Sequence, residues 1–207
     1  MIKKKVAIID YGMGNLKSII NALDYLGVEN KLISDPKYLF KYSHIILPGV
    51  GSFKKAIKNL KTNGMFETLI KISKKKQKIF GICLGMQLLF DSSTEEGYTK
   101  GLGIINGKVE KFSLRETKNL KIPHVGFNEI FFNKGNLFFK GIKNNSDFYF
   151  DHSYRITEFE KNIISAKSNH GINFLSAFSM NNIYGAQFHP EKSQSNGLLL
   201  IRNFIKN

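Results

Sequence analysis

The chain has 207 residues, 42% of them hydrophobic and 23% charged, which suits one domain (1–207) with a full core. No apolar run approaches the roughly 20 residues of a membrane span, and a single cysteine excludes an internal disulfide framework and fits a reducing cytoplasm. The net charge of +15 raises a nucleic-acid partner, but the lysines are scattered or in short clusters such as Lys74-Lys75-Lys76, and arginine stands only at Arg115, Arg155 and Arg202. A solvated lysine surface is the preferred reading, and a basic nucleic-acid-binding module without catalysis is the competing one.

The first half alternates strand and helix. After the basic start Met1-Ile2-Lys3-Lys4-Lys5, residues 6–11 read as a buried strand, too short and too soon charged for a signal segment. Gly12-Met13-Gly14 is a turn, and 15–26 a helix with Leu16, Ile19, Ile20, Leu23 and Leu26 on one face, stopped by Gly27. Strands follow at 31–34, 44–47 and 78–82, with helices at 53–60 and 65–72 between the last two. A helix is expected over 84–90. This alternation implies a parallel sheet covered on both faces. The middle changes character: 97–107 reads as glycine-rich loop, and meander strands are expected at 147–154, 163–166 and 174–179. Residues 184–188 form a last core strand, and 195–205 a closing amphipathic helix.

The strand at 78–82 delivers Cys83 within Gly81-Ile82-Cys83-Leu84-Gly85. Glycines two before and two after allow a sharp strand-to-helix turn. The free N–H groups of the helix that follows favour the thiolate. His189-Pro190-Glu191 completes a nucleophilic constellation of thiol, base and carboxylate. Glu191 is two residues from His189, so in extended backbone both side chains face one way, and the carboxylate can orient the imidazole. Pro48-Gly49-Val50-Gly51 follows a strand that could neighbour the nucleophile strand, and acyl transfer needs N–H donors for an oxyanion. Val50 and Leu84 are the candidate donors, with Gly49 and Gly51 flanking the first; an ordinary turn is the competing reading. Gly12-Met13-Gly14 fails the dinucleotide fingerprint, because Lys17 stands at the third glycine position. His44, His124, His152 and His170 lack metal-ligand spacing, so neither a metal nor another cofactor is expected.

The segments Pro48-Gly49-Val50-Gly51, Gly81-Ile82-Cys83-Leu84-Gly85-Met86-Gln87 and Gln187-Phe188-His189-Pro190-Glu191-Lys192 resemble those of class I (triad) glutamine amidotransferases. Asp10-Tyr11-Gly12-Met13-Gly14-Asn15, Pro123-His124-Val125-Gly126-Phe127-Asn128 and Phe148-Tyr149-Phe150-Asp151-His152-Ser153-Tyr154 resemble the glutaminase subunits of imidazole glycerol phosphate synthases. The resemblance covers essentially the whole chain. It implies a flavodoxin-like α/β fold, with a mostly parallel central sheet flanked by helices and a small antiparallel β extension. It implies hydrolysis of glutamine to glutamate and ammonia, with Cys83 forming a γ-glutamyl thioester, His189 moving protons and Glu191 orienting it. Gly51, Gln87, Glu95, Ser153 and Tyr154 match glutamine-binding positions. Met13, Asn15, Phe127, Tyr149 and Lys192 match positions at the interface with a (β/α)8-barrel synthase (cyclase) subunit. In that heterodimer the ammonia is passed on internally, and imidazole glycerol phosphate and an aminoimidazole carboxamide ribotide are formed for histidine and purine synthesis. Two departures stand on the partner-facing side: Phe127 where the family usually has tryptophan, and Asp151 where it usually has an apolar residue. They raise an alternative, a paralogue that feeds ammonia to an enzyme amidating a surface sugar. Peptidases and γ-glutamyl hydrolases with a cysteine elbow are the competing enzymes.

Overall fold

The structure is a computed structural model that describes residues 4–133, 135–160 and 163–207. Most of the basic start thus lies outside the described residues. Strand β1 (Val6–Ile9) pairs in parallel with β2 (Asn30–Ile33) and β3 (His44–Leu47). β3 pairs in parallel with β4 (Lys78–Ile82), and β4 with the late strand β13 (Ile183–Ala186). The inner strands β1, β3, β4 and β13 are mostly apolar because both faces are covered, whereas the edge strand β2 carries Asn30 and Lys31. Successive residues go to opposite cores: Ala7, Ile9, Ile45, Leu47 and Ile79 to one, Val6, Ile8, Ile46, Phe80 and Ile82 to the other. Helices α2 (Phe53–Thr62) and α3 (Met65–Ser73) cover the first face through Phe53, Ile57, Leu60 and Leu69. Helices α1 (Leu16–Tyr25) and α5 (Gln194–Lys206) cover the second through Ile19, Leu23, Leu200 and Phe204.

Beyond β13 the same sheet continues antiparallel. Its order is β2-β1-β3-β4-β13-β12-β11-β8-β9, with β12 (Ile172–Met180), β11 (Ile164–His170), β8 (His124–Phe132) and β9 (Ser146–His152). The antiparallel part is therefore larger than the small extension expected. A second sheet, β10-β7-β5-β6, is built from β5 (Phe90–Ser93), β6 (Thr99–Lys100), β7 (Ile105–Lys111) and β10 (Tyr154–Thr157). Phenylalanines fill the space behind the main sheet: Phe80 meets Phe138 and Phe204 at centroid distances of 5.5 and 5.1 Å, and Phe148 meets Phe188 at 4.2 Å.

Three expectations fail locally. The helix after Cys83, α4 (Leu84–Leu88), stops before Phe90, which opens β5. Leu88, Leu89 and Phe90 are all fully buried, and a continuous apolar run does not distinguish helix from strand by its period. The glycine-rich stretch holds β6 and the start of β7 rather than a loop. Two of its glycines serve close approach: a Cβ at Gly101 would strike the Phe90 carbonyl, and one at Gly107 would lie 2.8 Å from the Phe90 ring. The single strand expected over 147–154 breaks at Ser153, where the chain leaves the main sheet as β9 and enters the second as β10. A short 3-10 turn at Pro36–Lys41, capped by Asp35, had no counterpart in the periodicity.

Candidate active site

The carboxyl ends of β3, β4 and β13 lie side by side, with Leu47 opposite Gly81 and Ala186 opposite Ile82. The segments that follow them converge on one cavity of about 380 Å³. This is where open α/β sheets place their sites.

Cys83 is the residue between β4 and α4, and its backbone sits at φ 53°, ψ −113°. A non-glycine residue held there stores about 1–3 kcal/mol of strain, sustained by the surrounding packing. Its N–H donates to the Ala186 carbonyl at 2.7 Å, and its carbonyl accepts from Met86 N–H at 3.0 Å. The flanking glycines are required by contact: a Cβ at Gly81 would lie 2.6 Å from the Gly85 carbonyl oxygen, and one at Gly85 would strike the Leu47 carbonyl. The sulfur is buried, 3.8 Å from the Asp151 carbonyl and 3.8 Å from the Gln187 side-chain amide. Because α4 has five residues, its dipole is a smaller source of thiolate stabilisation than a full helix provides.

His189 supplies the nearer positive charge. It is 2% exposed, and its Nδ1 lies 2.8 Å from Glu191 Oε1. Nδ1 carries the proton toward the carboxylate, which leaves Nε2 for the thiol. Burial lowers the imidazole pKa, but hydrogen bonds to Cys83 and Glu191 and the charges of both outweigh it, and the net shift is well above the usual histidine range. Glu191 reaches the ring by another route than the extended alternation expected. Pro190–Lys192 is a 3-10 turn with His189 at its N-cap, so the carboxylate curls back onto Nδ1. Glu191 Oε2 is buried with no hydrogen-bond partner among the described residues, so the imidazolium is the counter-charge that makes its burial tolerable. The ring is held from behind: His189 N–H donates to the Tyr149 carbonyl, and the Ser193 hydroxyl donates to the His189 carbonyl.

β3 does neighbour β4, which brings Pro48–Gly51 to the elbow. Gly49 is wedged there: a Cβ would lie 2.8 Å from the Tyr11 hydroxyl, 2.9 Å from Gly85 N and 3.0 Å from Leu84 Cβ. The Tyr11 hydroxyl donates to the Pro48 carbonyl at 2.8 Å, and burial pushes its phenol pKa far up, so it stays a donor. Val50, Gly51 and Leu84 line the cavity, Gly51 at φ 106°.

Gln87, Glu95, Ser153 and Tyr154 also reach the cavity wall. The Gln87 amide donates to the Tyr154 carbonyl at 3.2 Å and to Gln187 Oε1 at 3.0 Å. Glu95 accepts from Phe53 N–H, the first residue of α2, at 2.7 Å. Burial raises its carboxyl above the usual range, and that N–H opposes the rise. Gln187 is a further polar residue of the site beyond those the sequence points to: it is fully buried just past the end of β13, and an uncharged polar side chain in an apolar strand end is its signal in the sequence. Of the residues matched to an interface, Phe127 is 52% exposed and stacks edge-on against Tyr149 at 5.6 Å, with Lys192 Nζ 5.4 Å from the Tyr149 ring. Met13 is buried against Gly51, and Asn15 caps α1 by accepting from Ser18 N–H, so both have work inside this chain. Asp151 is exposed at the cavity mouth, opposite Val125 in the β8–β9 ladder.

The sequence profile of the family Glutamine amidotransferase class-I matches residues 7–207. The chain is a class I glutamine amidotransferase. Among curated relatives of this amidotransferase is the Imidazole glycerol phosphate synthase subunit HisH 1 of Campylobacter jejuni (strain RM1221), 46% identical over 97% of this chain and 99% of its own. The corresponding HisH 2 subunit of Methanococcus maripaludis is 46% identical over 97% and 98%, and the HisH subunit of Moorella thermoacetica 39% over 97% and 94%. Among solved structures, PurLQS from Thermotoga maritima has a TM-score of 0.76 at 16% identity, covering 99% of both chains. A structure described as a glutamine amidotransferase has 0.76 at 17%, covering 97% of both. At such identities these two speak for the fold alone.

Proposed function

We propose that this amidotransferase is the glutaminase subunit of an imidazole glycerol phosphate synthase, working in the cytoplasm. The observation that carries the chemistry is the buried line from Glu191 through His189 to a cysteine held at positive φ. The names of the relatives support the synthase assignment.

Glutamine enters the cavity with its side-chain amide at Cys83, held by Gly51, Gln87, Glu95, Ser153 and Tyr154. The thiol proton passes to His189 Nε2, and the sulfur attacks the amide carbon. The N–H groups of Val50 and Leu84 receive the negative charge that develops on the oxygen. His189 returns the proton to the departing nitrogen, the C–N bond breaks, and ammonia leaves a γ-glutamyl thioester. Water then loses a proton to His189 and attacks the same carbon, the C–S bond breaks, and glutamate and the thiol are restored. Ammonia in free solution near pH 7 is mostly protonated and poorly nucleophilic. Direct passage into a barrel-shaped cyclase docked over Phe127, Tyr149 and Lys192, beside Met13 and Asn15, keeps it reactive, and the complete heterodimer acts as a lyase.

The test is glutamate release from glutamine by the chain together with its cyclase. Cys83→Ala should abolish release, by about 10³-fold or more. Retained release would show that the nucleophile is elsewhere. A glutamine-analogue electrophile should label Cys83, and glutamine should protect it; labelling indifferent to glutamine would favour a peptidase-like substrate. The exposed Asp151 and Phe127 support a second reading, delivery of ammonia to a sugar-amidating enzyme. Co-purification with such an enzyme instead of a cyclase would decide for it.

A further inference from the structure

The glutamine-binding residues Ser153 and Tyr154 stand at a corner where the chain changes sheets, β9 ending at His152 and β10 starting at Tyr154. The one-residue corner is tied to the second sheet by a backbone hydrogen bond, Phe112 N–H donating to the Ser153 carbonyl at 2.9 Å. Behind it lies a set of buried polar side chains that the proposed chemistry does not use. His152 is 6% exposed and His124 on β8 is 5% exposed, and both pack among Phe150 and Phe174.

Their hydrogen bonds admit one direction. His152 Nδ1 lies 2.8 Å from the Tyr154 carbonyl, which can only accept, so Nδ1 bears the proton. In the neutral ring Nε2 is then an acceptor, and its partner at 3.0 Å, His124 Nδ1, must donate. That leaves His124 Nε2 as an acceptor for the Asn128 amide at 3.1 Å. The Asn128 orientation is set independently: its Nδ2 donates to the Asn169 carbonyl at 2.8 Å, and its Oδ1 accepts from Glu129 N–H at 2.8 Å. Both rings must stay neutral, since a proton on His152 Nε2 would face the His124 donor. Burial serves this by lowering both, His124 to about 4 and His152 to about 3.

The chain of donors ends on a carbonyl that also accepts from Gln87, and Gln87 in turn holds Gln187, whose amide lies 3.8 Å from Cys83. Asn128, His124 and His152 are thereby joined through one peptide carbonyl to Gln87 on α4, the helix that follows the nucleophile. On β8 these inward residues alternate with the exposed Val125 and Phe127.

We propose that His124 and His152 are positioning residues for glutamine: their directed hydrogen bonds lock the sheet-to-sheet corner and hold Ser153, Tyr154 and Gln87 in the geometry that receives the substrate. This rests on the reading of the cavity as a glutamine site.

The test uses the chain with its cyclase. His124→Leu removes the donor to His152 and should raise KM for glutamine roughly tenfold while kcat stays within about twofold, the size expected for a lost buried hydrogen bond. His124→Asn puts an amide donor at the place of Nδ1 and should restore KM to within about threefold of the wild type. An unchanged KM in His124→Leu, a loss confined to kcat, or equal defects in the two variants would each overturn the proposal. A second measurement needs no variant to fold: nitrogen-15 NMR of the unaltered protein should show both His124 and His152 as the neutral Nδ1–H tautomer. An Nε2–H tautomer at either residue would also overturn it. If the unaltered complex released no glutamate from glutamine, the substrate reading would fail, while the tautomers would still report on the corner.

Discussion

Two groups of histidines, equally buried, lie in the two halves of this molecule and are driven in opposite directions. His189, at the end of the parallel half, is pushed toward the charged form; His124 and His152, in the antiparallel half, are held neutral. Burial disfavours the imidazolium in all three. What differs is the partner: His189 has a carboxylate and a thiol, whereas the other two have a carbonyl, an amide and each other. Partner charge, not depth, thus sets the protonation, and the proposed proton carrier and the proposed neutral brace are made from the same side chain.

The comparison can be broken at several points. The parallel half is built without slack, so Gly85→Ala, whose Cβ would strike the Leu47 carbonyl, should cost about 3–5 kcal/mol of stability in a urea or thermal melt. A loss below about 1 kcal/mol would show that the elbow can relax. Glu191→Gln removes the charge that distinguishes His189 from the other two. It should lower kcat for glutamine by about 10²–10³-fold, because the neutral amide removes the counter-charge and can turn its N–H toward Nδ1, which favours the wrong imidazole tautomer. The sign for stability follows from the raised folded pKa. The contribution of His189 is complete below its unfolded value of about 6.5 and is lost as pH rises through the folded value. In Glu191→Gln the folded value drops toward the unfolded one, so that alkaline loss should be smaller and should be complete at lower pH than in the unaltered protein.

His152 gives the opposite limb. Its folded pKa lies below its unfolded one, so stability is full above about pH 6.5 and falls as the medium is acidified and the unfolded chain takes up a proton the folded chain refuses. By pH 4.5, two units below the unfolded value, this one group should remove about 3 kcal/mol, and a His152→Asn variant should show a shallower acid slope in denaturant melts. The smallest effect belongs to Phe127, which is half exposed on the antiparallel half. Phe127→Ala should change the stability of the isolated chain by less than about 0.5 kcal/mol while weakening association with the cyclase, measured by titration calorimetry. A larger stability loss would assign Phe127 to the core instead.

The parallel half was readable at the level of single residues. Glycines around Cys83, an apolar run before it and a His-x-Glu after a late strand are local signals. The elbow they announce is local too, since the left-handed backbone and the close approach of Leu47 demand those glycines. Even here one step differs from the sequence expectation, since Glu191 meets His189 through a 3-10 turn rather than along an extended strand. The second sheet and the antiparallel half were less readable. Leu88-Leu89-Phe90 carries no period, Gly101 and Gly107 looked like loop residues while serving Phe90, and the break at Ser153 leaves no mark in a run of strand-forming residues.

The sequence by itself pointed to the chemistry proposed for this protein, because a nucleophile on a tight turn, its base and an orienting carboxylate need particular residue types within a few positions of strand ends. Only the tertiary structure decided how the substrate side is held. His124 and His152 are far apart in the chain and carry no metal-ligand or catalytic spacing. They become a directed pair because β8 and β9 zip together with His124 opposite His152, and hydrogen-bond direction exists only once donors and acceptors share a buried space.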